Sequence, residues 1–400
     1  MNGWSYNTRS FQMRVLHIGK FYPPFAGGME NFMGDLLPAL ERRKIHTAAL
    51  VHGHEFGRRE AYEGDLAARV YRVPSYGSFL YAPISPGFAL ALRREIHAFK
   101  PDILHMHLPN TSAFLAMAIP SARKVPWVVQ WQSDIVNSDI DRRLAMAYRF
   151  YQPLERRFLK KASAIIASTP PYFDTSEPLS SWREKCRVIP LGLDENRLKM
   201  PGKNLKNWAE GIWQTGRIRI ISVGRLTYYK GHEVLIKAAA DLPEAHIVIV
   251  GEGDRKEHLG GLIRQLGLGG RVELTGFMPD EKLRALLSTS DLFCLPSIER
   301  TEAFGLVLLE AMCYAKPVVA SDVSGSGMGW IIGHMETGLL VKPGDVDDLA
   351  RALQLLCQKP GLRERMAEAG RKRFNAVFRI DQVAAKISSL YLEVQTIQPK

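Results

Sequence analysis

Short runs of Val, Ile and Leu, each followed by a stretch with helical spacing, recur along this chain, and no other feature narrows its fold as far. MRVLHIG (13–19), TAALV (47–51), ARVYRV (68–73), DILHMH (102–107), PWVVQW (126–131), SAIIAS (163–168) and CRVIP (186–190) form a first series. RIRIISVG (217–224), AHIVIVG (245–251), RVELTG (271–276), DLFCLP (291–296), KPVVAS (316–321) and GLLV (338–341) form a second. Near-continuous apolar strands separated by helices belong in parallel sheets buried on both faces, because each crossover lays a helix over one face. The expected class is α/β, with two doubly wound Rossmann-like domains. Its 400 residues fit that division, since a single core stops growing at roughly 250–300 residues.

The first domain is placed at 13–195, a linker at 196–216, where Gly, Asn and Lys gather without a clear period, and the second domain at 217–377. A last helix, 378–396, is expected to pack back on the first domain. Residues 1–12 lack the apolar core of a secretory signal and are read as a disordered extension. No run approaches the ~18–20 apolar residues of a membrane span. The four cysteines are far apart with no CxxC spacing, the usage of a reducing cytoplasm without a disulfide frame or structural zinc. A formal charge of +12, from 53 Lys and Arg against 41 Asp and Glu, favours an anionic partner. Nucleic acid ranks lowest, because the basic residues lack interleaved aromatics and no helix-turn-helix or finger spacing occurs.

In open α/β sheets ligands lie beyond the carboxyl ends of the strands, so the active site is expected in a cleft between the two domains. EAFGLVLLE (302–310) follows the strand at 291–296 and sets Glu302 on the loop, Gly305 near a helix start and Glu310 in the first turns. Acceptor-only carboxylates there suit a polyhydroxylated ligand, and a helix start favours an anion. The plainer alternative is a capping carboxylate at Glu302 and a surface helix residue at Glu310. SVGRLTYYKGHEVLIKA (222–238) puts Arg225 and Lys230 at a strand's carboxyl edge, charges that a diphosphate needs. Gly27 and Gly28 open a helix after a Pro-rich turn, where backbone amides approach a phosphate closely.

Together FYPPFAGGME, DILHMHLP, VVQWQSDI, VIPLGLD, GRLTYYKG, IVGEGD, LTGFMPD, LPSIERTEAFGLVLLEAMCYAKPVV and ETGLLVKPGD, in that order over roughly 13–390, resemble the retaining glycosyltransferases of family 4, which have the two-domain GT-B fold. The resemblance implies that Glu302 bonds hydroxyls of the donor hexose, that Glu310 holds the ribose, and that Arg225 and Lys230 neutralise the diphosphate. It implies amides from Gly27 and Gly28 on the distal phosphate, the Gly276-Phe277 turn and the Lys282 helix near the base, and further donor contacts at Gly224, Ala303, Phe304, Gly305 and Leu306. Glu30, His107 and Asp134 fall on the acceptor side. No metal or cofactor is implied. Family members usually carry a histidine before Ser-Asp after the strand at 126–131, where this chain has Gln132, which keeps hydrogen bonding but takes no proton.

His105 and His107 would project to the same side of a strand, with one at the cleft edge and the other buried. Asp139/Asp141 and Asp345/Asp347 match the DxD metal pattern of another transferase fold, but the second pair reads as a helix cap. The cationic segment 141–161, with Phe150 and Leu154 between its charges, reads as a core-packed helix that can also adsorb to anionic lipid. GSGMGWIIGHMETG (325–338), with Trp330, looks nearer to polysaccharide mannosyltransferases and their relatives than to sucrose or starch enzymes. The resulting expectation is a cytoplasmic, peripherally membrane-associated, retaining, metal-independent hexosyltransferase. It would move a mannose- or glucose-type unit from a nucleotide-diphosphate sugar to a lipid-linked or glycan acceptor in cell-surface polysaccharide assembly. A same-fold sugar-nucleotide epimerase and a catalytically silent binder are the alternatives.

Overall fold

The computed structural model describes residues 13–25, 27–53, 61–63, 69–79, 82–135 and 142–397. The extension at 1–12 and the Asp139/Asp141 pair lie outside the described residues. The chain forms two compact units. One takes the chain through Ser168, then Ser176–Gly192, and the chain from Ile380 onward; the other takes Thr169–Thr175 and Leu193–Arg379.

The first unit contains β1 (Met13–Ile18), β2 (Ile45–His52), β3 (Ala61–Glu63), β4 (Arg69–Val73), the two-residue strands β5 (Ser78–Phe79) and β6 (Ala82–Pro83), β7 (Ile103–Leu108), β8 (Trp127–Trp131), β9 (Ala164–Ala167) and β10 (Cys186–Val188). Its helices are α1 (Gly28–Arg42), α2 (Phe88–Phe99), α3 (Pro120–Arg123) and α4 (Arg142–Lys161). The main sheet runs β10-β9-β8-β7-β1-β2-β4-β3, parallel except for the β3–β4 pair. β5 and β6 pair with each other apart from it. Strands β7, β8 and β9 are buried along their whole length, which is why they read as unbroken apolar runs rather than alternating ones.

The second unit contains β11 (Ile218–Val223), β12 (Ala245–Val250), β13 (Val272–Gly276), β14 (Leu292–Leu295), β15 (Val318–Ser321) and β16 (Gly338–Val341). They form a fully parallel sheet in the order β13-β12-β11-β14-β15-β16. Its helices are α5 (Pro170–Thr175), α6 (Lys203–Glu210), α7 (His232–Ala238), α8 (Lys256–Gln265), α9 (Asp280–Thr289), α10 (Leu306–Cys313), α11 (Met328–Ile331), α12 (Val346–Gln358) and α13 (Pro360–Arg373). Ile220, Ile247, Leu292 and Val319 of the sheet pack with Leu235, Leu259 and Leu353 in one buried cluster. The last helix, α14 (Ile380–Ile397), belongs to the first unit, where Asp381 pairs with Arg42 at 2.8 Å and Tyr391 is buried against β7.

Each sheet reverses strand order once, between β1 and β7 and between β11 and β14. Helices leave such neighbouring strands toward opposite faces and open a crevice above their carboxyl ends. The loop after β1 leads to Gly27 and Gly28, the loop after β11 carries Arg225 and Lys230, and the loop after β14 carries Glu302, while Gln132 and Asp134 follow β8 and Gly276 ends β13.

The segment read as a linker, 196–216, is structured and belongs to the second unit. Its α6 packs against α9, Ala209 and Trp213 are buried, and Trp213 Nε1 donates to Thr289 Oγ1 at 2.9 Å. Polar residues on the outer face of a short helix hid these apolar anchors. Residues 169–175 also join the second unit, with Tyr172 buried under the Arg300 guanidinium at 4.2 Å.

Candidate functional site

The loop after β11 and the loop after β14 interlock at the switch point of the second sheet. Gly231 has φ +67°, and a Cβ there would lie 1.9 Å from the carbonyl oxygen of Pro296, so only glycine lets the two loops approach this closely. The contact brings the Lys230 ammonium onto Glu302, which accepts its bond through Oε2. Ser297 Oγ donates to the same oxygen at 3.2 Å, and the Lys230 and Glu302 side chains are 12% and 11% exposed. Lys230 also lies along Gly224, where an added Cβ would sit 3.1 Å from its Cε. Arg225 donates through Nη2 to the Tyr229 hydroxyl at 3.0 Å.

Gly305 precedes α10, and Glu310 is buried one turn into that helix with its Oε1 3.6 Å from Arg197 Nη2. Ala303 and Phe304 are buried in the packing, and the Ala303 carbonyl accepts from the Gly327 N–H at 2.8 Å, so what these two residues can offer a ligand is backbone. Leu306, the first residue of α10, is buried as well. Beyond β13, the Phe277 N–H donates to Glu252 Oε1 at 3.3 Å, the Phe277 ring is exposed, and Lys282 lies over the Trp208 ring at 5.0 Å. Arg225, Lys230, Glu302 and Gly305 thus come together at the switch point, with Glu310 one helical turn away. Gly276 ends β13, two strands from β11 in the sheet, and Phe277 follows it.

In the first unit Gly27 and Gly28 begin α1, and the Glu30 carboxylate folds back over them. A Cβ on Gly27 would lie 2.1 Å from Glu30 Oε2, and Glu30 is buried. Gln132 follows β8, its N–H donating to the Leu108 carbonyl at 3.1 Å. Its side chain is buried, and its Nε2 has no hydrogen-bond partner among the described residues. An unbonded buried amide costs about 1–3 kcal/mol, which a ligand oxygen would offset. Asp134 Oδ1 accepts from Trp131 Nε1 at 2.8 Å and from Ser176 Oγ at 2.7 Å, ties that hold the loop in place.

His105 and His107 do lie on one side of β7, but both are interior, in place of one at an edge. They meet a third, His17 of β1, which sequence reasoning missed although β1 and β7 pair with His17 opposite His105. His17 Nδ1 is 3.1 Å from His107 Nε2, and His105 Nδ1 bonds the Tyr391 hydroxyl. The three offer nitrogens within 4.8 Å of one another, so they are candidate metal ligands. However, the His105 and His107 rings are parallel to within 6° with centroids 4.6 Å apart. In-plane lone pairs of stacked rings run side by side instead of converging on one ion. Burial holds all three neutral, with His107 lowered to about 3 and the others well below the usual value.

The sequence also gave no sign of Glu155 on α4. It is 1% exposed, accepts from the Tyr148 hydroxyl at 3.3 Å and, chiefly through burial, has its pKa raised to about 8.

Comparison with known proteins gives the site its context. Residues 27–192 match the family described as Glycosyl transferase 4-like domain, and residues 206–373 match Glycosyl transferases group 1. The chain is 34% identical over 379 residues to D-rhamnosyltransferase WbpZ of Pseudomonas aeruginosa, covering 92% of each chain. It is 31% identical over 383 residues to O-antigen chain mannosyltransferase C of Escherichia coli, covering 95% of this chain and 98% of the relative. This chain is a group 1 glycosyltransferase. Among solved structures, the glycosyltransferase superposes on sucrose-phosphate synthase from Thermosynechococcus elongatus with a TM-score of 0.81 at 23% identity, covering 97% of this chain and 100% of the other. Its two Rossmann-like units are those of the GT-B fold.

Proposed function

We propose that this glycosyltransferase moves a hexose from a nucleoside-diphosphate sugar to a hydroxyl of a lipid-linked or glycan acceptor in cell-surface polysaccharide assembly, with retention at the anomeric carbon. The observation that carries the reading is the Lys230–Glu302 pair at the switch point, a cation and a hydroxyl acceptor side by side where a phosphorylated sugar would need both. The relative named O-antigen chain mannosyltransferase C supports the acceptor class.

In the proposed reaction the bond from anomeric carbon to phosphate oxygen breaks, and a bond from the acceptor oxygen to that carbon forms on the same face. The acceptor's proton passes to the departing phosphate. Arg225 and Lys230 stabilise the charge that develops on the diphosphate, typically the largest catalytic term in such chemistry. Two fixed side-chain cations fill the part that a divalent metal plays in other transferases, so metal-independent turnover is part of the proposal. Glu302 would hold hydroxyls of the hexose, and Glu310 those of the ribose.

We further propose that α4 rests on an anionic lipid surface where lipid-linked acceptors reside. Phe150 is 78% exposed and Leu154 43%, among Arg149, Arg156, Arg157, Lys160 and Lys161. Near such a surface each cation contributes about 1 kcal/mol. Among the described residues no helix is long and apolar enough to cross a membrane.

The test is incubation of purified protein with a panel of nucleotide sugars and a lipid extract, with and without EDTA, followed by assignment of the product's anomeric configuration by NMR. Retained configuration with EDTA-insensitive turnover is expected. An inverted product, or activity abolished by EDTA and restored by a divalent ion, would overturn the mechanism.

A further inference from the structure

The segment that enters the second unit, 193–199, is fastened along its length. The Leu193 N–H donates to the Phe378 carbonyl at 2.9 Å, and Glu195 pairs with Arg379 at 2.7 Å and Arg371 at 3.3 Å. Arg284 of α9 donates to the Arg197 carbonyl, and the Tyr314 hydroxyl to the Lys199 carbonyl at 3.5 Å. Leu198 is buried. A loop clamped from α9, α10 and α13 presents its side chains in fixed directions, and the Arg197 guanidinium lies against Glu310. Neither residue belongs to the cluster around Lys230. The approach is a single Nη2–Oε1 pair at 3.6 Å, an ion pair longer than a hydrogen bond, so the clamped guanidinium acts on the carboxylate as a charge fixed in place.

We propose that Arg197 is a positioning residue for the donor nucleotide: it holds the Glu310 carboxylate in the orientation that accepts the paired hydroxyls of a ribose. The inference rests on the reading of Glu310 as the ribose acceptor. It makes the segment joining the two units a part of nucleotide recognition, and it assigns discrimination between ribose and deoxyribose to a residue that does not itself touch the sugar.

The experiment measures binding of UDP, GDP and ADP to the full chain by calorimetry, then compares the tightest of them with its 2′-deoxy and 3′-deoxy forms. The wild type should prefer the ribonucleotide by about tenfold or more, since the carboxylate is left without its donor in the deoxy complex. In Arg197→Ala that preference should shrink to about twofold, and Arg197→Lys should recover part of it, because the charge remains while a flexible stem no longer fixes its place. A wild type that binds ribo and deoxy forms equally removes the Glu310 reading and this proposal with it. A wild-type preference that persists undiminished in Arg197→Ala leaves Glu310 in place and overturns the role of Arg197. Should Arg197→Ala lose cooperative melting, Arg197→Lys alone decides, an unchanged preference there counting against the proposal.

Discussion

Lys230 and Glu302 stand 72 positions apart in sequence, yet each side chain has the other as a partner, because a single glycine lets the two loops touch. If the pair grips a sugar diphosphate as proposed, Lys230→Ala and Glu302→Ala should each lower turnover by about 100-fold or more with the fold intact. Circular dichroism with steady-state rates checks this, and near-normal rates in both variants would remove the site assignment. Glu155 makes a separate prediction. Its carboxyl is protonated in the folded protein up to about pH 8 and ionises near pH 4.5 when unfolded, so the native state binds more protons across that window. Stability from this group is present at low pH and is lost as pH rises through about 8. Glutamine cannot ionise, so the melting temperature of Glu155→Gln should gain on wild type between pH 5 and pH 9; a parallel pair of curves would contradict the burial argument.

At the scale of elements, β1 and β7 place three histidines face to face inside the first sheet, and a fourth, His52 at the end of β2, stacks on Phe88. Burial lowers His52 to about 4 and His107 to about 3. An unfolded histidine takes its proton near pH 6.5, so between pH 6.5 and about 4 the unfolded chain binds more protons and stability falls as pH falls. Each fully titrating histidine adds up to about 1.4 kcal/mol per pH unit to that slope. Urea midpoints for wild type and His107→Gln across this range should converge as pH drops, and a constant separation would show that His107 is not neutral in the fold. The helix α4 invites a different measurement. Phe150→Ser with Leu154→Ser should weaken sedimentation with anionic vesicles while leaving melting unchanged, since both side chains stand out from the core. Equal binding by the double variant would contradict adsorption through this face.

At the scale of the whole molecule, much was legible because the strands are buried on both faces. Runs such as AHIVIVG and DILHMH announce themselves without alternation, and the order of their loops follows from parallel crossovers. The β3 strand at 61–63 was not legible, because an edge strand of three residues carries too little pattern. The helix at 203–210 was hidden by its polar outer face, and the boundary between units by a crossing and a recrossing near residues 169 and 175 that no composition shift marks. Within the site, Glu302, Glu310, Arg225 and Lys230 were visible as charges beside strand ends. The Arg197–Glu310 contact, and the His17–His107 contact inside the first sheet, were not, because each joins residues distant in sequence that only tertiary packing brings together.

The most direct test of the central claim is calorimetric binding of a nucleoside diphosphate and of its hexose conjugate to wild type, Lys230→Ala and Glu302→Ala. If Lys230 grips the diphosphate and Glu302 the sugar, Lys230→Ala weakens both ligands, whereas Glu302→Ala abolishes only the extra affinity that the hexose confers. Unchanged affinity for both ligands in Lys230→Ala, or equal losses for both in Glu302→Ala, would contradict the account.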